Sequence, residues 1–193
     1  MKTNAASAPC PASQWIEGCW KNPSTCGWCE GISIGWMWDT TATPCRANHI
    51  SSNHIHNVMS ILSDGGGIYS LGQQPGSQII DNLIHDVTLN AGRAESNGMF
   101  LDEGTRDVVV ENNIIFNIAR SPLRFHKAFS NLVRNNVLVC PDNIPPIRYN
   151  RTKEENIEKD GNIVLNQSSK EDMQKLKNIV DDKIARMKSE IDL

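Results

Sequence analysis

The chain is short of several features, and each shortage removes a class of function. No run approaches the roughly 18 apolar residues that cross a bilayer, so no membrane helix is expected. Its 19 Lys and Arg are outnumbered by 22 Asp and Glu, giving a net charge of -3. No cationic surplus is left to neutralise a phosphate backbone, and nucleic acid is not expected as a partner. Met1 to Gln14 contains no apolar signal-peptide core; either the chain stays inside a cell or its secretory start lies upstream. Paired zinc knuckles are missing too. Of six cysteines, at 10, 19, 26, 29, 45 and 140, only Cys26 and Cys29 make a Cys-x-x-Cys. A structural zinc site is therefore not expected, and both disulfides in an oxidising compartment and plain thiols stay open as readings. Asn150-Arg-Thr152 and Asn166-Gln-Ser168 fit the glycosylation pattern, which tips localisation only slightly.

What the chain does have is a repeat. Four segments share the template aliphatic-x-x-Asn-x-aliphatic, with Asn53, Asn82, Asn113 and Asn136 at its fourth position and starts 29, 31 and 23 residues apart. A looser fifth copy covers Asp160-Gly-Asn162-Ile-Val-Leu165, and Val58, Val87 and Ile118 recur eight positions after the first three starts. Short strands at this period, each bent at a fixed Asn, describe a solenoid coil in which stacked Asn side chains bond to one another. The expected fold is all-β, a right-handed parallel β-helix of about five coils.

The same register extends backwards. Gly67 to Gly72 and Gly98 to Glu103 become one strand in successive coils, with Gly31 to Trp36 below and Pro122 to Lys127 above. Alternation sends Ile32, Ile34, Ile68, Ser70, Met99, Leu101, Leu123 and Phe125 inward. Ser33, Tyr69, Phe100 and Arg124 point outward, followed by Gly35, Leu71, Asp102 and His126. Three segments follow: a Cys/Trp-rich segment or cap at 1–30, the β-helix at 31–167, and an amphipathic helix at 168–193. Ser169-Lys-Glu-Asp172 has capping-box spacing, and Met173, Leu176, Val180, Ile184, Met187 and Ile191 recur at helical spacing. That helix is expected to lie as a lid over the open end of the last coil.

The outward face collects the chemistry. Asp64, before three glycines, and Asp102, beside Glu103, form a candidate carboxylate pair for glycosidic cleavage. The glycines are expected to keep a groove open beside Asp64. Stacking over Asp102, His126 would tune it or simply pair with it, and Glu103 is the second supporting residue. Tyr69, Trp36, Phe100 and Trp38 offer flat surfaces for sugar, and Arg124 is a substrate-binding candidate. Arg124 or Lys127 beside His126 would also suit a lyase acting on an acidic sugar. His56 and His85 share one template position and read as a surface histidine column; with no third ligand visible, no metal and no cofactor are expected.

Gly31-Ile-Ser-Ile-Gly-Trp36, Leu62 to Gly72 with Gln74-Pro-Gly76, Asn82-Leu-Ile-His-Asp86 and Leu101-Asp-Glu-Gly104 together resemble the secreted right-handed β-helix glycoside hydrolases. This pectin-lyase-like group includes an α-L-fucosidase and a xylanase, and the resemblance spans about residues 30 to 140. It implies an extracellular or periplasmic setting, a polysaccharide or oligosaccharide partner, and catalytic acids at Asp64 and Asp102. Such enzymes carry many more coils before the Gly-Ile-Ser-Ile-Gly-Trp segment, so a shortened protein that binds or scaffolds without cleaving is the alternative expectation.

Overall fold

The structure, a computed structural model, describes residues 31–35, 37–61, 63–89 and 96–191. The Cys/Trp-rich segment at 1–30 lies outside them. Among the described residues fifteen strands form three parallel five-stranded sheets, and each coil contributes one strand to each sheet. Sheet A stacks β1 (Ile32–Ile34), β4 (Gly65–Ser70), β7 (Ser96–Leu101), β10 (Leu123–His126) and β13 (Ile147–Asn150). Sheet B stacks β2 (His49–Ser51), β5 (Gln73–Ile80), β8 (Arg106–Glu111), β11 (Asn131–Arg134) and β14 (Ile157–Asp160). Sheet C stacks β3 (His54–His56), β6 (Leu83–Val87), β9 (Ile114–Ile118), β12 (Val137–Cys140) and β15 (Ile163–Asn166). Every strand pairs in parallel with its counterparts in neighbouring coils, which makes the chain a parallel β-helix of five coils, I to V.

The predicted asparagines form one column at the corner between sheets B and C. Asn53, Asn82, Asn113 and Asn136 each donate Nδ2 to Oδ1 of the next member, at 2.8, 2.9, 2.9 and 2.9 Å, ending on Asn162. Each receiving Oδ1 also accepts the backbone N–H of the previous Asn, at 3.0–3.1 Å. The amides of Asn82, Asn113, Asn136 and Asn162 donate as well to the carbonyls of Ile50, Ile79, Val110 and Val133. These bonds replace sheet pairing where the chain turns, so the buried corner keeps few orphan polar groups. The bend has a fixed backbone signature. The residue before each ladder Asn, namely Ser52, Asp81, Asn112, Asn135 or Gly161, has φ between 54° and 59°, the left-handed region that small polar residues and glycine tolerate best.

Inside, the aliphatics predicted to point inward share one core with Ile55, Ile84, Ile115 and Leu138 of sheet C. The glycines serve this core. A Cβ placed on Gly31, Gly67 or Gly98 would lie 2.5, 2.6 or 2.4 Å from Cγ2 of Ile55, Ile84 or Ile115. Gly31, Gly67 and Gly98 therefore make room for an isoleucine column in sheet C, so Gly67 serves the core and not a groove beside Asp64. Full burial of such an Ile is worth about 1.5–3 kcal/mol, and the missing Cβ makes that burial possible.

The C-terminal helix α1 (Lys170–Ile191) starts as the sequence predicts, with Ser169 Oγ accepting the Asp172 N–H at 3.2 Å. Its position corrects the expectation. Instead of covering the last coil, α1 lies along the outer face of sheet C, where Leu176, Met173, Ile179, Val180, Ile184 and Met187 pack on Leu83, Ile114, Val137, Val139 and Leu165. Lys183 reaches Asp81 of coil II at 3.0 Å. The cause is written in the repeat: Leu83-Ile84, Ile114-Ile115 and Val137-Leu138 are aliphatic doublets, and in a strand one member of each must face outward. That outward strip needs cover more than the coil end does. Coil V stays open, with Val164 54% exposed at an inward position and a cavity of about 400 Å³ lined by Leu138, Ile147 and Tyr149 among others. Lys159 occupies the inward position above Val133, lies 5.6 Å from the centroid of Tyr149 and pairs with Glu154. An inward-pointing lysine on an edge strand discourages stacking of a further chain.

Asn113→Ala, at the centre of the column, is expected to cost at least about 3 kcal/mol, since every buried partner left unsatisfied costs about 1–3. Asn53→Ala, at the solvated end, should cost under about 1 kcal/mol. Urea midpoints compare the two, and equal losses would mean the column adds nothing beyond the local turn. Lys159→Leu should shift sedimentation towards larger species as concentration rises; unchanged sedimentation would show that the lysine does not guard the end.

Candidate active site

Register builds the site. Tyr69, Phe100, Arg124 and Arg148 lie side by side on the outer face of sheet A, one from each of coils II to V. One position past Leu101, Asp102 comes level with His126, as the sequence register requires. Both oxygens of Asp102 are engaged: Tyr69 Oη donates to Oδ2 at 2.7 Å, and His126 Nδ1 lies 2.7 Å from Oδ1. Asp102 is only 4% exposed, a burial that two close hydrogen-bond donors compensate. An ionised carboxylate only accepts, so in this bond His126 donates from Nδ1 and leaves Nε2 as its outer nitrogen.

The end of the strand is sealed by backbone. Gly104, with φ +79°, lies so close to Asp39 that a Cβ would sit 2.1 Å from the Asp39 carbonyl oxygen. Gly72 meets Met37 in the same way and donates its N–H to the Glu103 carbonyl at 2.9 Å. Between these contacts Trp38 is 62% exposed, an open aromatic among the described residues. Glu103 forms an ion pair with Lys127 at 2.5 Å. Asp102, Glu103 and His126 each bring a ligand-capable atom within 4.8 Å of the others; any cation there would have to compete with Tyr69 and Lys127 for them.

The other predicted residues sit elsewhere in the layer. Asp64 directly precedes β4, whereas Asp102 directly follows β7; since these strands run parallel in register, the acids occupy opposite ends of sheet A. Asp64 is exposed, with φ +70°. Its Oδ1 is 3.8 Å from Nη1 of Arg124, whose guanidinium lies 4.2 Å above the Phe100 ring. Phe100 in turn meets Tyr69 edge to face at 5.3 Å. The acids are thus two stations of one continuous layer, each with its own partners. Tyr69 is buried and oriented by Asp102, so it holds the carboxylate where the sequence suggested a sugar platform, and Arg124 is largely buried between Phe100 and Asp64. Trp36 lies outside the described residues. Sequence reasoning missed the bond from Tyr69 to Asp102. The residues are 33 positions apart, and placing Tyr69 one position short of the strand end hid the reach of its hydroxyl.

The described cysteines, Cys45 and Cys140, are both free thiols, and burial pushes the Cys140 thiol pKa up. Cys10, Cys19, Cys26 and Cys29 lie outside the described residues.

Tyr69→Phe removes the donor to Oδ2 and is expected to cost about 1–3 kcal/mol of stability. Thermal unfolding checks this; an unchanged midpoint would mean that water replaces the hydroxyl and the site is more open than its burial indicates. No family model, curated protein or solved structure matches the chain.

Proposed function

We propose that this protein is a carbohydrate-active β-helix enzyme that hydrolyses glycosidic bonds at the rim of sheet A, with His126 carrying the proton and Asp102 holding it. The observation behind this reading is the Tyr69–Asp102–His126 chain, in which a buried carboxylate fixes an imidazole whose side chain is still 18% exposed. A carboxylate in this position orients the ring and stabilises the imidazolium formed when Nε2 takes a proton. Trp38 offers the neighbouring apolar face on which a sugar ring can pack. Asp64, held beside Arg124, is the second carboxylate of the layer and the candidate to engage substrate at the opposite end of sheet A. The sugar class rests on the motifs shared with β-helix glycoside hydrolases.

The test is reducing-end release from plant and algal glycans. His126→Gln and Asp102→Asn should each lower kcat about 100-fold or more, the usual scale for a positioned acid or base. Trp38→Ala should raise KM with a smaller effect on kcat. Full activity in His126→Gln with the fold intact would defeat the assignment.

A second reading is favoured by the burial of Tyr69, Phe100 and Arg124, which leaves little open surface on sheet A. In it the chain is a glycan-binding or structural β-helix. Sugar binding without any release of reducing ends would select it.

A further inference from the structure

Three of the chain's five histidines meet on the outer face of sheet C, well outside the Asp102 layer. In β3, Ile55 points into the core, so His54 and His56 on either side of it both point outward. His85 of coil II is the register partner of His56, and their rings stack at 5.2 Å with planes 6° apart. On its far side His85 stacks on Phe116 at 4.8 Å. His54 approaches diagonally, and its Nε2 lies 2.7 Å from Nε2 of His85. Two further nitrogens are tied back: His85 Nδ1 is 2.8 Å from Asp86 Oδ2, and His56 Nδ1 is 2.9 Å from the Asn57 amide. Asp86 is itself held from coil III by the Asn117 amide.

We propose that His54 and His85 form a binding site for a divalent transition metal ion of the zinc class, with both Nε2 atoms as ligands. The chemistry of the cluster fits that ion in two ways. Imidazole donors select zinc, copper or nickel over magnesium and calcium. Asp86 on Nδ1 fixes the tautomer that leaves the Nε2 lone pair of His85 directed at His54, the outer carboxylate arrangement common to metal-bound histidines. In the metal-free pair His54 Nε2 therefore donates to His85 Nε2, and an ion takes the place of that shared proton once His54 carries its own on Nδ1. Tetrahedral ligands about 2.0–2.1 Å from zinc lie roughly 3.3 Å apart, so the two nitrogens must separate by about 0.6 Å and the two rings must turn, because with centroids 5.0 Å apart the nitrogens face each other. His56, whose ring centroid is 4.8 Å from that of His54, is the next imidazole available. Water completes the shell, since all three histidines are partly exposed.

The repeat explains why the pair exists. The template places His56 and His85 in register, while His54 takes the position that is Leu83, Ile114 or Val137 in the later coils. Those aliphatics lie under α1. In coil I a ligand side chain replaces the apolar contact.

The experiment titrates the full chain with Zn2+ calorimetrically and, in parallel, with Co2+ read by absorption. One equivalent is expected to bind, with the weak visible bands of nitrogen and oxygen ligation. Replacing both His54 and His85 by Gln should lower affinity at least 100-fold, and Asp86→Asn about 10-fold or more. His126→Gln should leave binding unchanged, which separates this site from the Asp102, Glu103 and His126 group. Circular dichroism confirms that each variant is folded, and Asp86→Asn keeps the test decisive if the double variant does not fold. Unchanged affinity in the double variant and in Asp86→Asn would overturn the proposal. So would loss in His126→Gln alone, or intense near-ultraviolet thiolate bands in the Co2+ spectrum.

Discussion

One amide per coil holds this protein together. Each ladder asparagine satisfies its own side chain, the backbone of the coil before it and a carbonyl at the bend, all within hydrogen-bond distance. Remove that closure, and the corner between sheets B and C would bury backbone groups with no partner, at a cost that exceeds what one aliphatic per coil returns. The left-handed residue before each Asn is the matching backbone requirement, and the chain meets it with Ser, Asp, Asn, Asn and Gly in turn. With the corner fixed, side-chain alternation on all three sheets follows.

Alternation in turn assembles the candidate site. Tyr69, Asp102 and His126 come from coils II, III and IV and are separated by 33 and 24 residues, yet parallel register brings them within single hydrogen bonds. No local turn could place them so. The layer that joins Asp64 to Asp102 through Arg124, Phe100 and Tyr69 is likewise a product of stacking. Its chemistry is as rigid as the coils beneath it.

Much of this was legible in the sequence because the repeat carries it. The asparagine offset gave the coils, and extending the register backwards from each copy put His126 level with Asp102. Three features were not legible from that template. The helix lies on the flank because Leu83, Ile114 and Val137 face outward, a demand that appears only once the doublets are read as two faces. Gly67, the last of the three glycines after Asp64, serves an isoleucine column on another sheet, a contact across the coil interior that no offset along one strand reveals. His54 was passed over because the template aligned His56 with His85. The His-Ile-His alternation held the missing signal, since it points both rings the same way.

The two sites differ in the support beneath them, and that difference bears on what a bound ion would do. The Asp102 layer rests on six-residue strands in coils II and III, paired on both sides. The histidine cluster rests partly on coil I, whose strands are three residues each and pair with coil II alone among the described residues. In a solenoid stability is a sum of coil and interface contributions, so a terminal coil with short strands opens first. An ion bridging His54 of coil I to His85 of coil II would add its binding free energy to that interface and to no other, by the amount RT ln(1 + [M]/Kd).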